Sequence, residues 1–270
     1  MSDPSSPDWH YLDWSEQQIE DFWNFTANWP AHHVDYFTRQ VGKGVIRFAR
    51  TLMPFTQEVV DFGCGKGDLI ECLLADGIPC MGVDSSAGSV DFVNARFQGR
   101  VGWKGAIPTS GGRTPMPDGS AGTLFFVETI EHLPPEVLRE VLRELRRLLK
   151  PGEGRLFVTT PDDELLAREQ VFCPACHSVF HRYQHVATFS KTTLAQTLEA
   201  MGFTTIACDT TDFGRYVADI PAPRRRSVLD VSMRDVLHRI KMIVRKPSPN
   251  PAQPSAPEPH LYWVGSVPRE

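Results

Sequence analysis

The stretch VVDFGCGKGD, residues 59–68, decides the fold of this chain. A short apolar run leads to Asp61, and Gly63, Gly65 and Gly67 then alternate ahead of a predicted helix. Alternating glycines permit a tight turn and let backbone amides approach a ligand, because no Cβ stands in the way. The stretch therefore predicts a strand, a ligand-binding turn and a helix, in that order.

Three acidic residues narrow the choice of ligand. A dinucleotide-binding turn has the pattern G-x-G-x-x-G, which requires glycine where this chain has Asp68. Asp61 at the end of the first strand suits a cationic ammonium group better than a pyrophosphate. Seventeen residues after Gly67 the next predicted strand ends in Asp84, which is placed to accept the hydroxyls of a ribose. A ribose-containing, positively charged cofactor fits this combination.

Outward from this stretch, short apolar runs alternate with amphipathic ones, which is typical of a parallel sheet covered by helices. A helix is predicted over residues 135–149 because leucine and valine recur at helical spacing before Pro151 and Gly152. Ser190 is predicted to cap another helix. The predicted strands lie at residues 58–62, 80–83, 123–127, 155–159, 203–208 and 260–267.

These features resemble class I S-adenosylmethionine-dependent methyltransferases, in particular bacterial ones with a CPxC-containing insert after the fifth strand. The likeness continues through FFVETIEHLP (125–134), LRRLLKPGEGRLFVTTP (145–161) and HVATFSKTTLAQTLEAMGF (185–203). It implies a Rossmann-like α/β fold, with a seven-stranded, mostly parallel sheet, helices on both faces and an antiparallel last strand. It also implies S-adenosylmethionine as the methyl donor and S-adenosylhomocysteine as the product.

The resemblance assigns the cofactor to the glycine turn and to the strand ends beside it. Two departures from the family pattern are visible: Gly105 and Ala106 stand where many members have an acidic adenine contact, and Gly122 or Thr123 replaces the usual aspartate of the fourth strand. The adenine contact therefore stays unassigned. The implied cofactor-binding residues are Asp61, Gly63, Gly65, Gly67, Asp84, Ser85 and Glu128.

Glu128, His132 and His185 are the candidate catalytic residues on the acceptor side. Methyl transfer depends mainly on alignment, and a base helps when the acceptor is a hydroxyl or a protonated amine. One alternative is that the E-x-x-E-H-L element only shapes its loop. Another is that Glu128, Glu131 and His132 join His185 to bind a divalent ion, which resembles the small-RNA terminal 2′-O-methyltransferases.

The predicted insert contains FCPACHSVFHRYQH, residues 172–185, in which Cys173, Cys176, His181 and His185 are spaced C-x2-C-x4-H-x3-H. This spacing predicts a zinc site, although the central gap is shorter than in a usual zinc finger. The alternative is a reduced turn whose histidines face the pocket. The six cysteines show no disulfide pattern, so a reducing, cytoplasmic setting is expected.

Charge and composition complete the predicted organisation. The net charge of the chain is −5. Residues 224–246 carry a net charge of +6, so the rest of the chain carries −11. Such an acidic body is a poor nucleic-acid binder, whereas the basic segment could contact a membrane surface. The predicted parts are an aromatic-rich helical cap (1–43) that could also be a lid, a methyltransferase domain (44–212 with 259–270), an insert over the acceptor pocket (162–189), a basic helical insertion (213–246) and a Pro-rich linker (247–258).

The sequence thus predicts an enzyme that methylates a small molecule or a glycan, with transfer to oxygen favoured over nitrogen or carbon. The main alternative is a non-catalytic S-adenosylmethionine-binding or zinc-containing interaction module. An RNA 2′-O-methyltransferase is disfavoured by the acidic body of the chain. A dinucleotide oxidoreductase is disfavoured by Asp68.

Overall fold

The computed structural model describes residues 9–29, 36–56, 58–218 and 259–269. The basic segment 224–246, with its predicted membrane contact, and the linker 247–258 lie outside the described residues. Within the described ranges, none of the helices combines the length and apolar character that crossing a bilayer requires.

The described strands and helices alternate along most of the chain. The strands are β1 (His10–Tyr11), β2 (Val59–Phe62), β3 (Cys80–Asp84), β4 (Trp103–Pro108), β5 (Thr123–Val127), β6 (Arg155–Pro161), β7 (Gln170–Phe172), β8 (Ser178–His181), β9 (Thr204–Thr211) and β10 (His260–Ser266). The helices are α1 (Glu16–Asn28), α2 (Phe37–Leu52), α3 (Asp68–Ala75), α4 (Ala87–Phe97), α5 (Pro135–Leu148) and α6 (Lys191–Ala200).

A seven-stranded sheet with the order β4-β3-β2-β5-β6-β10-β9 forms the centre of the fold. Strands β2 to β6 pair in parallel, whereas β10 runs antiparallel to both β6 and β9. The predicted fold class is therefore confirmed, including the antiparallel last strand. The sequence pattern had not indicated the bounds of β4, because buried and accessible residues are mixed along this edge strand.

Both faces of the sheet are covered, which explains the nearly continuous apolar runs of the central strands. Successive residues of a strand point to opposite faces. Phe125 accordingly packs in the core beneath α2 and α3, and Phe126 packs in the core beneath α5 and α6. The strand ends between these two cores are left to form a ligand site.

Local sequence signals account for two helix starts. Ser190 caps α6: its hydroxyl accepts the backbone N–H of Thr193 at 3.2 Å, and its own N–H donates to the Thr193 hydroxyl at 2.8 Å. α3 begins at Asp68 directly after Gly67, whose φ of +78° turns the chain from strand to helix. Both starts were predicted from the sequence.

The beginning of the chain and the insert form a second, three-stranded sheet, β1-β8-β7. β1 pairs in parallel with β8, which pairs antiparallel with β7. The predicted boundary between residues 43 and 44 falls inside α2. Val41 and Val45, on either side of this boundary, are buried in the same core. Of the predicted cap, the described part that lies outside the main core is β1 and α1.

Candidate active site

A cavity of about 1040 Å³ opens at the carboxyl ends of the parallel strands. Its walls come from α1, the central sheet and the insert, represented by Trp23, Asp61, Asp84, His132 and His185. Open α/β sheets bind ligands at this edge. The volume lies at the upper end of the roughly 300–1,000 Å³ usual for a single ligand, so a cofactor and an acceptor both fit.

The glycine turn forms one end of this cavity. The N–H groups of Gly63 and Cys64 both donate to the carbonyl of Val83, at 2.8 and 3.0 Å, which fixes the turn against β3. Gly63 has a φ of +82°, and a Cβ there would lie 2.5 Å from the hydroxyl of Thr129. Position 63 therefore requires glycine for both conformation and packing.

Asp84 joins the turn to the end of β3. Its Oδ2 accepts the N–H of Gly65 at 2.8 Å, and its Oδ1 accepts the N–H of Ser86 at 2.9 Å. Burial raises the pKa of Asp84, and these backbone hydrogen bonds work against the increase. A carboxylate oxygen can accept more than one hydrogen bond, so Asp84 can still receive ribose hydroxyls. Ser85 lies beside it on the cavity wall.

Asp61 is the most deeply enclosed carboxyl group of the glycine-turn end of the cavity. The residue is buried at 3% exposure, and burial, followed by the charges of Asp84 and Asp68, raises its pKa to about 8. Asp68 is paired with Arg96 at 3.1 Å. A cationic ligand would favour the ionised form of Asp61, because it replaces the lost hydration of the carboxylate. The ammonium and sulfonium groups of S-adenosylmethionine fit this requirement.

Glu128 follows β5 and is held at the cavity from two sides. Its φ of +46° is uncommon for a residue with a side chain, which marks a constrained position. The hydroxyl of Thr159 donates to Oε1 at 2.7 Å, and Nε2 of His260 lies 3.3 Å from Oε2. Both carboxylate oxygens therefore have partners in β6 and β10.

Glu131 and His132 lie in the short 3-10 helix Ile130–His132 after β5. Glu131 is 1% exposed, and its Oε1 lies 3.9 Å from Nε2 of His132. Burial, followed by the charge of Glu128, raises the pKa of Glu131 well above its usual value. Burial, followed by the nearby His185, lowers the pKa of His132 to about 3. His132 is therefore a neutral imidazole near neutral pH.

Glu164 connects the two histidines of the insert. Nδ1 of His185 lies 2.5 Å from Oε2 of Glu164, and Nε2 of His181 lies 3.4 Å from Oε1. Burial acts to raise the pKa of Glu164, but its interactions with His181 and His185 outweigh burial and lower it to about 2. The ionised carboxylate only accepts hydrogen bonds, so Nδ1 of His185 is the donor in this contact, and Nε2 is the ring nitrogen that Glu164 leaves open.

α1 contacts this end of the cavity through a buried glutamine. The indole N–H of Trp23 donates to Oε1 of Gln184 at 2.8 Å, and Nε2 of Gln184 donates to the carbonyl of His132 at 3.0 Å. The Trp23 ring also meets the His132 ring edge-on, with centroids 4.7 Å apart. The N-terminal helix, the 3-10 helix and the insert are thus joined at one point.

A family model described as a methyltransferase domain matches residues 31–207. The chain belongs to this methyltransferase family. No curated protein sequence matches it.

Solved structures show the same fold at low sequence identity. The [4+2]-cyclase SpnF matches with a TM-score of 0.60 and 15% identity, over 97% of this chain and 100% of its own. The 1,6-didemethyltoxoflavin-N1-methyltransferase of Burkholderia thailandensis, solved with S-adenosylhomocysteine, matches with a TM-score of 0.57 and 14% identity. The match covers 96% of this chain and 92% of that enzyme. A SAM-dependent methyltransferase from Archaeoglobus fulgidus matches with a TM-score of 0.52 and 18% identity. This match covers 84% of this chain and 93% of that protein.

Cys173 and Cys176 of this methyltransferase lie apart from the histidines of the insert. They occupy the turn between β7 and β8, where Sγ of Cys176 lies 3.0 Å from Oγ of Ser178. His181 stands at the other end of β8, and three residues of extended strand span about 10 Å. Among the described residues, the groups of three or more close metal-ligating side chains contain no cysteine. The predicted four-ligand zinc site is therefore not assembled.

The structure instead brings together two other groups, in each of which the ligand atoms lie within 4.8 Å of one another. One contains Glu131, His132 and His185, which are three of the four residues of the alternative divalent-ion set, and the other contains Glu164, His181 and His185. Sequence analysis of the methyltransferase had not identified Glu164, which lies 21 residues before its partner His185. No local motif surrounds it that could have revealed this role.

Proposed function

We propose that this methyltransferase transfers a methyl group from S-adenosylmethionine to a hydroxyl group of a small molecule or a glycan. One observation carries the proposal: a single cavity has an acidic end around Asp61 and Asp84, and an end lined by His132, Glu164 and His185. The acidic end suits a cationic donor with a ribose. The other end offers a polar, partly enclosed surface for an acceptor.

At the donor end, each family-implied residue has a separate task. S-adenosylmethionine, when bound, supplies a methyl group on a positively charged sulfur. Asp61 attracts its ammonium and sulfonium groups, and the glycine turn lets the backbone approach the methionine part because no Cβ stands in the way. Asp84, beside Ser85, accepts the ribose hydroxyls. Glu128 closes this end, fixed by Thr159 and His260.

At the acceptor end, His185 is the proposed base. Glu164 holds Nδ1 of His185 at 2.5 Å, which leaves Nε2 to take the proton of an acceptor hydroxyl. As the oxygen forms its bond to the methyl carbon, the carbon–sulfur bond breaks and the proton remains on Nε2. His132 and Glu128 position the acceptor in this scheme. A hydroxyl benefits from such a base more than a neutral amine does, which is why transfer to oxygen is favoured.

The insert and α1 form the proposed acceptor wall. Trp23 of α1 and His185 of the insert line the same cavity as the glycine turn, so movement of α1 would open or close it. The insert carries the Cys173 and Cys176 pair that suggested the bacterial CPxC-containing group, and we propose that the chain belongs to it. All six cysteines are free thiols, consistent with a cytoplasmic setting.

Product analysis tests this function. The purified protein is incubated with S-adenosylmethionine and a panel of hydroxylated and aminated acceptors, and S-adenosylhomocysteine is quantified. Turnover that requires a hydroxyl, and is lost when that hydroxyl is blocked, supports the proposal. Turnover on amines alone contradicts the oxygen preference. Tight cofactor binding without turnover on any acceptor favours the non-catalytic alternative.

A further inference from the structure

One carboxylate in the cavity lacks the partners that its neighbours have. Glu128 is bound by Thr159 and His260, and Glu164 by the histidines of the insert. Glu131 is 1% exposed, and neither of its side-chain oxygens has a hydrogen-bond partner among the described residues. The Thr160 hydroxyl is close enough to oppose the rise in the pKa of Glu131, but the two side chains do not meet in hydrogen-bond geometry, and the hydroxyl has no other partner. A buried carboxylate without partners is costly to the fold.

Two imidazoles lie next to this carboxylate. Nε2 of His132 is 3.9 Å from Oε1 of Glu131, and the ligand atoms of Glu131, His132 and His185 are all within 4.8 Å of one another. Nδ1 of His132 is buried and has no partner. Since Glu164 occupies Nδ1 of His185, the other ring nitrogen of His185 is available. Glu131 and Nδ1 of His132 lack partners, and with His185 they bring three ligand groups together at the cavity wall.

We propose that Glu131, His132 and His185 bind a divalent transition-metal cation. One carboxylate and two imidazoles are a ligand set suited to zinc, iron or manganese. With bonds of about 2.1 Å, two ligands of a tetrahedral ion stand about 3.4 Å apart, so the 3.9 Å between Glu131 and His132 requires only a small closure.

The surroundings of His185 support this assignment. A metal-binding histidine usually donates its second ring N–H to a carboxylate, which fixes the tautomer and the ring orientation. Glu164 does this for His185, and His181 approaches the other oxygen of Glu164 at 3.4 Å. Glu128 is not a ligand in this assignment, because both of its oxygens are already engaged.

The three ligands all line the cavity, so a cation held by them would lie at its wall. There the cation would bind an oxygen of the acceptor and lower the pKa of a bound hydroxyl. Without the cation, His185 is the base of the proposed function; with the cation bound, His185 is a ligand and the cation promotes proton loss in its place. This last step rests on the proposed function, whereas binding of the cation does not.

Calorimetry with Zn²⁺ on the chelator-treated full chain tests the site. The wild type is expected to bind one ion, and Glu131→Gln, which keeps the shape of the side chain, is expected to abolish binding. Glu164→Gln should weaken binding about 10–100-fold. The double variant Cys173→Ser/Cys176→Ser is the matched control and should bind like the wild type. With Co²⁺, the absorption spectrum should lack a thiolate charge-transfer band.

Binding of S-adenosylhomocysteine reports whether each variant is folded. Unchanged Zn²⁺ affinity in folded Glu131→Gln, or loss of binding in the cysteine variant, would overturn the metal site. If Glu131→Gln does not fold, His185→Gln provides the same test. A wild type that binds S-adenosylhomocysteine but no ion contradicts the metal site alone. A wild type that binds the ion but no S-adenosylhomocysteine contradicts the proposed function alone.

Discussion

The two ends of the cavity are assembled from the chain in different ways. Most of the donor end comes from one continuous stretch, in which Asp61, the glycine turn and Asp84 follow one another between β2 and the end of β3, and only Glu128 comes from farther along the chain. The acceptor end collects Trp23, Glu131 and His185 from three distant parts of the chain. The difference teaches that a site made by one turn can be found from its sequence, whereas a site made by tertiary packing cannot.

The largest effect is expected from Asp84→Ala at the donor end. The substitution removes the acceptor for the N–H groups of Gly65 and Ser86 as well as for the ribose. Loss of such charge-assisted hydrogen bonds costs about 3 kcal/mol, or roughly a 100-fold weaker affinity for S-adenosylhomocysteine. Calorimetry measures the change. Glu164→Gln serves as the control at the other end, and an equal loss there would remove the distinction between the ends.

Glu164→Gln should affect turnover rather than cofactor affinity. It removes the charge that holds Nδ1 of His185, and we expect kcat to fall about 10–100-fold. Affinity for S-adenosylhomocysteine should stay within about twofold of the wild type. Glu169→Gln is the matched control, because Glu169 lies in the same insert but pairs with Arg182 at the surface. Equal kcat losses in both variants would refute a specific role for Glu164.

Cofactor affinity should depend on pH through Asp61. Its pKa of about 8 without ligand means that a cationic ligand must displace a proton at lower pH. Affinity for S-adenosylmethionine should therefore rise by up to about tenfold per unit between pH 6 and 8, and level off near the pKa. Titrations across this range measure the slope. Asp61→Asn should flatten it, and an unchanged slope in that variant would point to another group.

The smallest effect is expected from Trp23→Phe, which tests the contact between α1 and the acceptor end. It removes the hydrogen bond to Gln184 but keeps most of the ring contact with His132. The free energy of unfolding should fall by about 1 kcal/mol, with a higher KM for the acceptor. Trp29→Phe is the control, because Trp29 is 48% exposed. Chemical denaturation and steady-state kinetics provide the two measurements.

Sequence signals predicted the parts of the fold that depend on neighbouring residues. The glycine turn, the start of α3 and the capping box at Ser190 all follow from interactions over a few positions. The four predicted zinc ligands are not brought together in the structure, for a related reason. Its spacing looked suitable, but β8 keeps Cys173 and Cys176 away from His181, and pairing of β8 with β1 and β7 is not a local property.

The acceptor end depended on contacts between distant segments. Gln184 is fully buried and has a φ of +60°, and its partners Trp23 and His132 are 161 and 52 residues away. Glu131 and His132 were noticed as a motif, but only packing against the insert shows that Glu131 is without a partner. The four tryptophans near the start of the chain were the one available signal for the involvement of α1.

The most direct test of the account is a calorimetric titration of the wild-type protein with S-adenosylhomocysteine. The geometry of Asp61, the glycine turn and Asp84 predicts saturable binding of one molecule per chain. A folded protein that shows no binding under conditions where Asp61 is ionised would contradict the assignment of the donor end, and with it the proposed methyl transfer.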